Sequence, residues 1–241
     1  MADDGGDSVK TQLLVVWVPI LGAILSTGLG LGPMGDILRC RRNRSLGEMN
    51  PDVFPLLFGN GVGWVIYACC TRNIYIFAAN FTNVMVGMFY VLTGYMLSAS
   101  DSARQRIEIM TLAFLGMWSA LGFAATQIAD ETSRNSMMGA TANVIVLLLF
   151  ASPLSTFANI IREKTAASIN KPFALVQVLN CILWLAYGLS IADVYIWGPN
   201  AMGLGLGIIQ IVLLAVYGSK PALTDSFEPS LLDGAEARYP P

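Results

Sequence analysis

Seven stretches of this chain are apolar enough to cross a lipid bilayer, and that limits the fold before any other feature is weighed. A spanning helix needs about 20 mostly apolar residues, because each advances about 1.5 Å across a hydrocarbon core of about 30 Å. The candidate spans are 12–35, 52–71, 74–98, 106–128, 137–160, 172–191 and 194–218. Charged residues make up 12% of the chain against 55% apolar, roughly half the charged fraction of a soluble domain. Lipid is therefore the expected solvent. A backbone in lipid must satisfy its own hydrogen bonds, so the expected fold is an all-α membrane protein of seven transmembrane helices.

Charge outside the spans sets an expected orientation. With the N-terminus extracellular, Arg39, Arg41, Arg42, Arg44, Arg104, Arg106, Arg162, Lys164, Lys171, Lys220 and Arg238 fall on the cytoplasmic side. Lys10, Arg72 and Arg134 remain outside. The arginines from Arg39 to Arg44 are read as a topology signal. Segment 1–11 carries Asp3, Asp4 and Asp7, whereas a cleaved signal peptide begins with positive charge. It is expected to be an extracellular N-terminus. The Pro- and acid-rich segment 219–241 is expected to be a disordered cytoplasmic tail. Trp17, Tyr75, Tyr195 and Trp197 suit an outer aromatic belt, and Tyr95 and Tyr217 an inner one.

The chain also repeats itself. One gapless shift, the same for every pair, carries Pro33 onto Pro153, Asn60 onto Asn180, Trp64 onto Trp184 and Tyr67 onto Tyr187. It also carries Tyr75 onto Tyr195, Asn80 onto Asn200 and Gly87 onto Gly207. Such residues are restricted in lipid, so their joint recurrence is not chance. The expected organisation is a three-helix unit over 12–98, a linker helix at 106–128 and a second three-helix unit over 137–218. Three crossings leave the chain on the far side, and the unmatched fourth brings it back. The two units then run parallel, as a three-plus-one-plus-three arrangement with a ligand site expected at their interface.

Helix arithmetic brings a candidate site together. Trp64 lies about seven to nine residues before the turn near Thr71 to Asn73, and Asn80 about as far after it, so both sit roughly 10 to 13 Å deep. Trp184 and Asn200 reach the same depth around the turn near Asp193. Asn60 and Asn180 lie one turn below the tryptophans on the same helix face. An indole face covers the C–H surface of a pyranose, and amides donate to and accept from hydroxyls. Such a site suits a small neutral sugar. Pro33 and Pro153 each free the carbonyl four residues earlier, at Leu29 and Leu149, which makes them candidate hinges. Leu29 and Leu149 are expected to line the pocket from below, their bulk favouring a monosaccharide over a disaccharide.

The residues Ser152-Pro153-Leu154-Ser155, Lys164-Thr165, Pro172-Phe173, Asn180, Trp184 and Tyr187-Gly188-Leu189 resemble the second repeat of the SWEET (MtN3/saliva) sugar transporters. Pro199-Asn200 followed by Gly203 and Gly207 does too. The first repeat is similar through Pro33, Pro55, Asn60, Trp64, Tyr67 and Asn80. The resemblance implies a bidirectional, facilitative sugar uniporter working by alternating access. It implies that Asn80 and Asn200 contact sugar hydroxyls, that Trp64 and Trp184 flank the ring, and that Tyr67, Tyr187 and Asp193 form an outer gate. It implies inner-gate hinges at Pro33, Pro55, Pro153 and Pro172, although Pro55 and Pro172 stand slightly off the expected register.

Absences narrow the energetics. Histidine is absent, and Asp36, Asp52, Glu108 and Asp193 all lie near span ends. An intramembrane acid or histidine usually carries a proton relay. No phosphate-loop motif is present for nucleotide hydrolysis. Cys40, Cys69, Cys70 and Cys181 show neither disulfide nor metal spacing. No cofactor, metal or covalent chemistry is expected. Nor does any basic stripe suit nucleic acid. The location expected is the plasma membrane, with homo-oligomerisation left open. Two rivals remain. A retinal protein needs a lysine in its last helix, and 194–218 has none. A proton-coupled PQ-loop carrier of amino acids is expected to show Gln after the helix-1 proline, but Met34 follows Pro33 and Leu154 follows Pro153.

Overall fold

A computed structural model describes residues 9–218. The expected N-terminal segment up to residue 8 and the expected tail at 219–241 lie outside the described residues. Among the described residues, seven helices are long and apolar enough to cross a bilayer. They are α1 (Val9–Asn43), α2 (Val53–Thr71), α3 (Ile74–Leu97), α4 (Asp101–Gln127), α5 (Glu131–Glu163), α6 (Lys171–Ser190) and α7 (Val194–Tyr217). Among the described residues there is no strand. The molecule is an all-α membrane protein with two parallel three-helix units joined by α4.

Caps fix the helix ends where apolar runs cannot. Asn73, Ser100, Asp130, Asn170 and Asp193 each accept a backbone N–H in the first turn of the following helix. Exit turns repeat as well: Arg44 and Lys164 both have φ 52, and Arg72 and Ala192 both have φ 55. Left-handed backbone is costly for a residue with a Cβ. Its recurrence at both pairs of repeat-related positions shows that the two units share backbone as well as sequence.

Within each unit the third helix sits in the middle. α3 lies between α1 and α2, and α7 between α5 and α6. α1 adjoins α6 and α2 adjoins α5, closing the ring α1–α3–α2–α5–α7–α6. Large apolar side chains such as Leu21, Ile24, Met85, Phe123, Ile208 and Val212 point outward. That is the surface expected of a protein solvated by lipid.

α4 stands outside the ring against α2 and α3. Gly59 and Gly63, one turn apart on α2, let it approach. Trp118 Nε1 donates to the Gly59 carbonyl at 2.8 Å, and a Cβ on Gly63 would come within 2.2 Å of the indole. Small residues spaced four apart commonly admit close helix contact in membranes. Gly63→Val is expected to push the indole off α2 and to destabilise the fold by about 1–3 kcal/mol. Gly116→Ala, where an added Cβ meets nothing within 4 Å, should not. Thermal unfolding in detergent micelles separates the two.

Some expectations change here. α1 extends to Asn43, so Arg39, Arg41 and Arg42 lie on a helix rather than in a loop. Helices α1 and α5 are each broken, into Val18–Leu31 and Met34–Asn43, and into Glu131–Leu149 and Ala151–Glu163. Pro33 caps the second piece of α1, and Pro153 lies in the first turn of the second piece of α5. There the missing N–H has no intrahelical partner to lose. The Leu29 carbonyl is not free either: it accepts the Gly32 N–H at 3.1 Å. Pro55 and Pro172 likewise fall in the first turns of α2 and α6. Tyr75 and Tyr195, expected in a lipid-facing belt, pack edge-on against Tyr187 and Tyr67 inside the bundle.

Candidate functional site

A cavity of about 190 Å³ lies between the two units. Six of the expected residues line it together: Asn60, Trp64, Asn80, Asn180, Trp184 and Asn200. Among the described residues that line it, none carries a charge. Asn80 Nδ2 donates to the Ile76 carbonyl at 2.9 Å, and Asn200 Nδ2 to the Ile196 carbonyl at 2.7 Å. Each amide is thereby anchored one turn back on its own helix. Its carbonyl oxygen accepts nothing from the described residues.

The two halves of the cavity are not equivalent, and the difference begins with one residue. Ser26 on α1 donates through Oγ to Asn180 Oδ1 at 2.9 Å and accepts from Trp184 Nε1 at 2.9 Å. The repeat shift carries Ser26 onto Val146, which also lines the cavity but has no hydroxyl. On that side Asn60 Oδ1 is buried without a hydrogen-bond partner among the described residues. A buried polar oxygen left so costs about 1–3 kcal/mol, so the half with Val146 is the half that calls for a donor from elsewhere.

Leu29 and Leu149 do not line the cavity. Successive residues turn by about 100° around a helix, and the inward stripe runs through Ser26 and, in the second unit, through Val146 and Phe150. The leucines fall to one side of it. Sequence reasoning also missed Gln177, Cys181 and Pro199, which line the cavity as well. Pro199 breaks the ladder inside α7, and the Tyr195 carbonyl four residues back accepts Asn143 Nδ2 at 3.1 Å instead. A serine within an apolar span, at the depth of the tryptophans, was the available signal for Ser26.

The end of the bundle carrying the α2–α3 and α6–α7 turns is closed above this cavity. Tyr67 Oη donates to Asp193 Oδ2 at 2.7 Å, and Asn73 Nδ2 donates to Tyr187 Oη at 2.7 Å. Asn73 and Asp193 are repeat-related, as are the tyrosines, so one latch occurs twice across the unit boundary. Both capping residues serve two partners. Asn73 Oδ1 accepts from Tyr75 and Ile76, and Asp193 Oδ1 from Tyr195, while the other side-chain atom reaches the opposite unit. Trp64 and Trp184 stand edge-on to these tyrosines at 5.7 and 5.9 Å. The expected inner-gate prolines lie away from the cavity lining. Pro55 is fully buried, Pro33 and Pro153 half-buried, and Pro172 exposed.

Known proteins share this chain's pattern. Residues 136–222 match the family described as sugar efflux transporters for intercellular exchange. The bidirectional sugar transporter SWEET14 of Arabidopsis thaliana is 27% identical over 226 residues, covering 90% of this chain and 79% of its own length. SWEET12 of Oryza sativa subsp. japonica is 26% identical, covering 86% and 69%. The solved structure of a eukaryotic SWEET transporter superposes with a TM-score of 0.78 at 22% identity, covering 87% of this chain and 99% of that one.

The family match falls on the second unit. The solved neighbour shares this chain's fold.

Proposed function

We propose that this chain is a transporter of the SWEET type, a facilitative, bidirectional sugar uniporter that works by alternating access. The observation that carries the reading is the buried, unpartnered Asn60 Oδ1 in a cavity of amides and indoles without a charge. A neutral polyhydroxyl ligand supplies the donor that Val146 cannot. Indole faces on Trp64 and Trp184 would flank its ring, and Asn80 and Asn200 would accept from its hydroxyls. A cavity of about 190 Å³ is smaller than the roughly 300–1,000 Å³ typical of drug-sized ligands. That favours a monosaccharide such as glucose, with sucrose the disaccharide to compare.

Under this proposal the units 12–98 and 137–218 rock against each other. Tyr67, Tyr187 and Asp193 form the outer gate. Pro33 and Pro153, beside the helix breaks, act as hinges of the inner one, with Pro55 and Pro172 at the neighbouring helix starts. The basic end faces the cytoplasm and the turn end faces outward, with the protein in the plasma membrane. No covalent step and no coupling ion are involved.

Uptake of radiolabelled glucose and sucrose into proteoliposomes tests this reading. Saturable glucose uptake is expected, with a rate unchanged by an imposed pH gradient. Folded protein that carries no sugar, or carries solute only down a proton gradient, would point instead to a proton-coupled carrier.

A further inference from the structure

At the basic end, away from the transport cavity, a separate groove of about 570 Å³ opens between the end of α1 and the α3–α4 connection. Arg41, Arg44 and Arg104 reach it from two elements, beside Ser45 and the apolar side chains of Met96 and Leu97. Arg41 is held in place rather than left to wander. Its Nη1 donates to Thr93 Oγ1 at 3.0 Å, and its guanidinium lies 5.0 Å from the centre of the Phe89 ring. The position of Arg44 is set by the left-handed exit turn.

Neither Arg41 nor Arg44 pairs with an acidic side chain among the described residues, while Arg39, Arg104, Arg106, Arg134 and Arg162 all do. The described residues lining the groove include no carboxylate, and Arg104 pairs with Asp101 at 2.9 Å. A topology signal requires positive charge near a span end. It does not require a guanidinium pinned by a threonine and an aromatic ring with no counter-charge.

We infer that this groove binds a phosphoryl group. Planar guanidinium donors match phosphate oxygens in bidentate fashion, and basic pockets beside spans commonly take anionic headgroups. The apolar wall of Met96 and Leu97 gives the start of an acyl chain somewhere to lie, which a free phosphate would not use. Because Arg41 lies beyond the break at Pro33 while Thr93 and Arg104 lie on α3 and α4, an occupied groove ties the end of α1 to its own unit.

The test is native mass spectrometry of the full chain in detergent, titrated with phosphatidylglycerol and with phosphatidylcholine. Wild type is expected to prefer phosphatidylglycerol about tenfold, and Arg41→Gln/Arg44→Gln to lose most of that preference. Arg41→Lys/Arg44→Lys keeps the charge and the topology signal but not the bidentate geometry, so partial loss is expected even if the glutamine pair folds poorly. Arg39→Gln/Arg162→Gln removes as much charge elsewhere and should bind as wild type does. Millimolar inorganic phosphate separates the sources: displacement assigns the site to free phosphate, and none assigns it to lipid. Equal binding of the two lipids with no phosphate binding, or equal loss in the Arg39/Arg162 pair, would overturn the proposal.

Discussion

Replacing Asn80 and Asn200 together with alanine is expected to lower glucose transport about a hundredfold or more while leaving the protein folded and inserted. Each amide is anchored through its nitrogen to a carbonyl one turn back, which leaves its oxygen for the cavity. A sugar hydroxyl brought there without an acceptor has lost water and gained nothing, at about 1–3 kcal/mol for each group. Two such losses in one small site come to between about thirtyfold and about twenty thousandfold. Each single variant should lose about tenfold, chiefly as a raised Km. Initial rates in proteoliposomes over a range of glucose concentrations give both constants. Asn143→Ala is the informative contrast, because Asn143 serves the Tyr195 carbonyl left over by Pro199. It should lower thermal stability and leave Km near wild type. Unchanged kinetics in the double variant would reduce Asn80 and Asn200 to helix packing.

Tyr67→Phe with Tyr187→Phe should open the turn end. The pair removes both latch bonds, one of them to a carboxylate, and leaves the helix caps on Asn73 and Asp193 intact. A hydrogen bond to a charged group contributes about 1.5–3 kcal/mol and a neutral one about 0.5–1.5. Their loss therefore shifts the balance away from the closed turn end by about thirtyfold to about two thousandfold. Cys181, which lines the cavity, reports on that shift. With Cys40, Cys69 and Cys70 changed to serine, a membrane-impermeant maleimide added at the turn end should label Cys181 slowly in the parent and much faster in the double variant. Added glucose should slow both reactions. Transport should fall about tenfold or more, since each cycle must close that end again. Labelling no faster than in the parent would show that the aromatic layer closes the turn end without the hydroxyls.

The latch also shows how unevenly the sequence speaks. Tyr67, Tyr187 and Asp193 were placed together by resemblance, yet Asn73 was not, although it stands at the repeat position of Asp193. Its second role is visible once α6 lies opposite α2, because the turn residue caps its own helix in any case. Ser26 is similar. Alone it is a polar residue in an apolar span, and its meaning comes from Asn180 and Trp184, on a helix far along the chain. The leucines at 29 and 149 were misplaced for the opposite reason. The proline rule identified a carbonyl, but the facing stripe of α1 depends on which helices it packs against.

By itself the sequence determined the seven spans, the doubling of the three-helix unit and the neutrality of the spans' interior. Lipid offers the backbone one solution, and the lengths of apolar runs and the spacing of repeated residues are local properties that the chain carries openly. Tertiary structure decided that α3 and α7 sit in the middle of their units, that α1 meets α6 and that Ser26 completes one half of the cavity. It also decided that both latches close the same end. Those outcomes rest on contacts between helices distant in the chain, and ring order is set by the fit of side chains across helix faces, which leaves no periodic mark in the residues that make it.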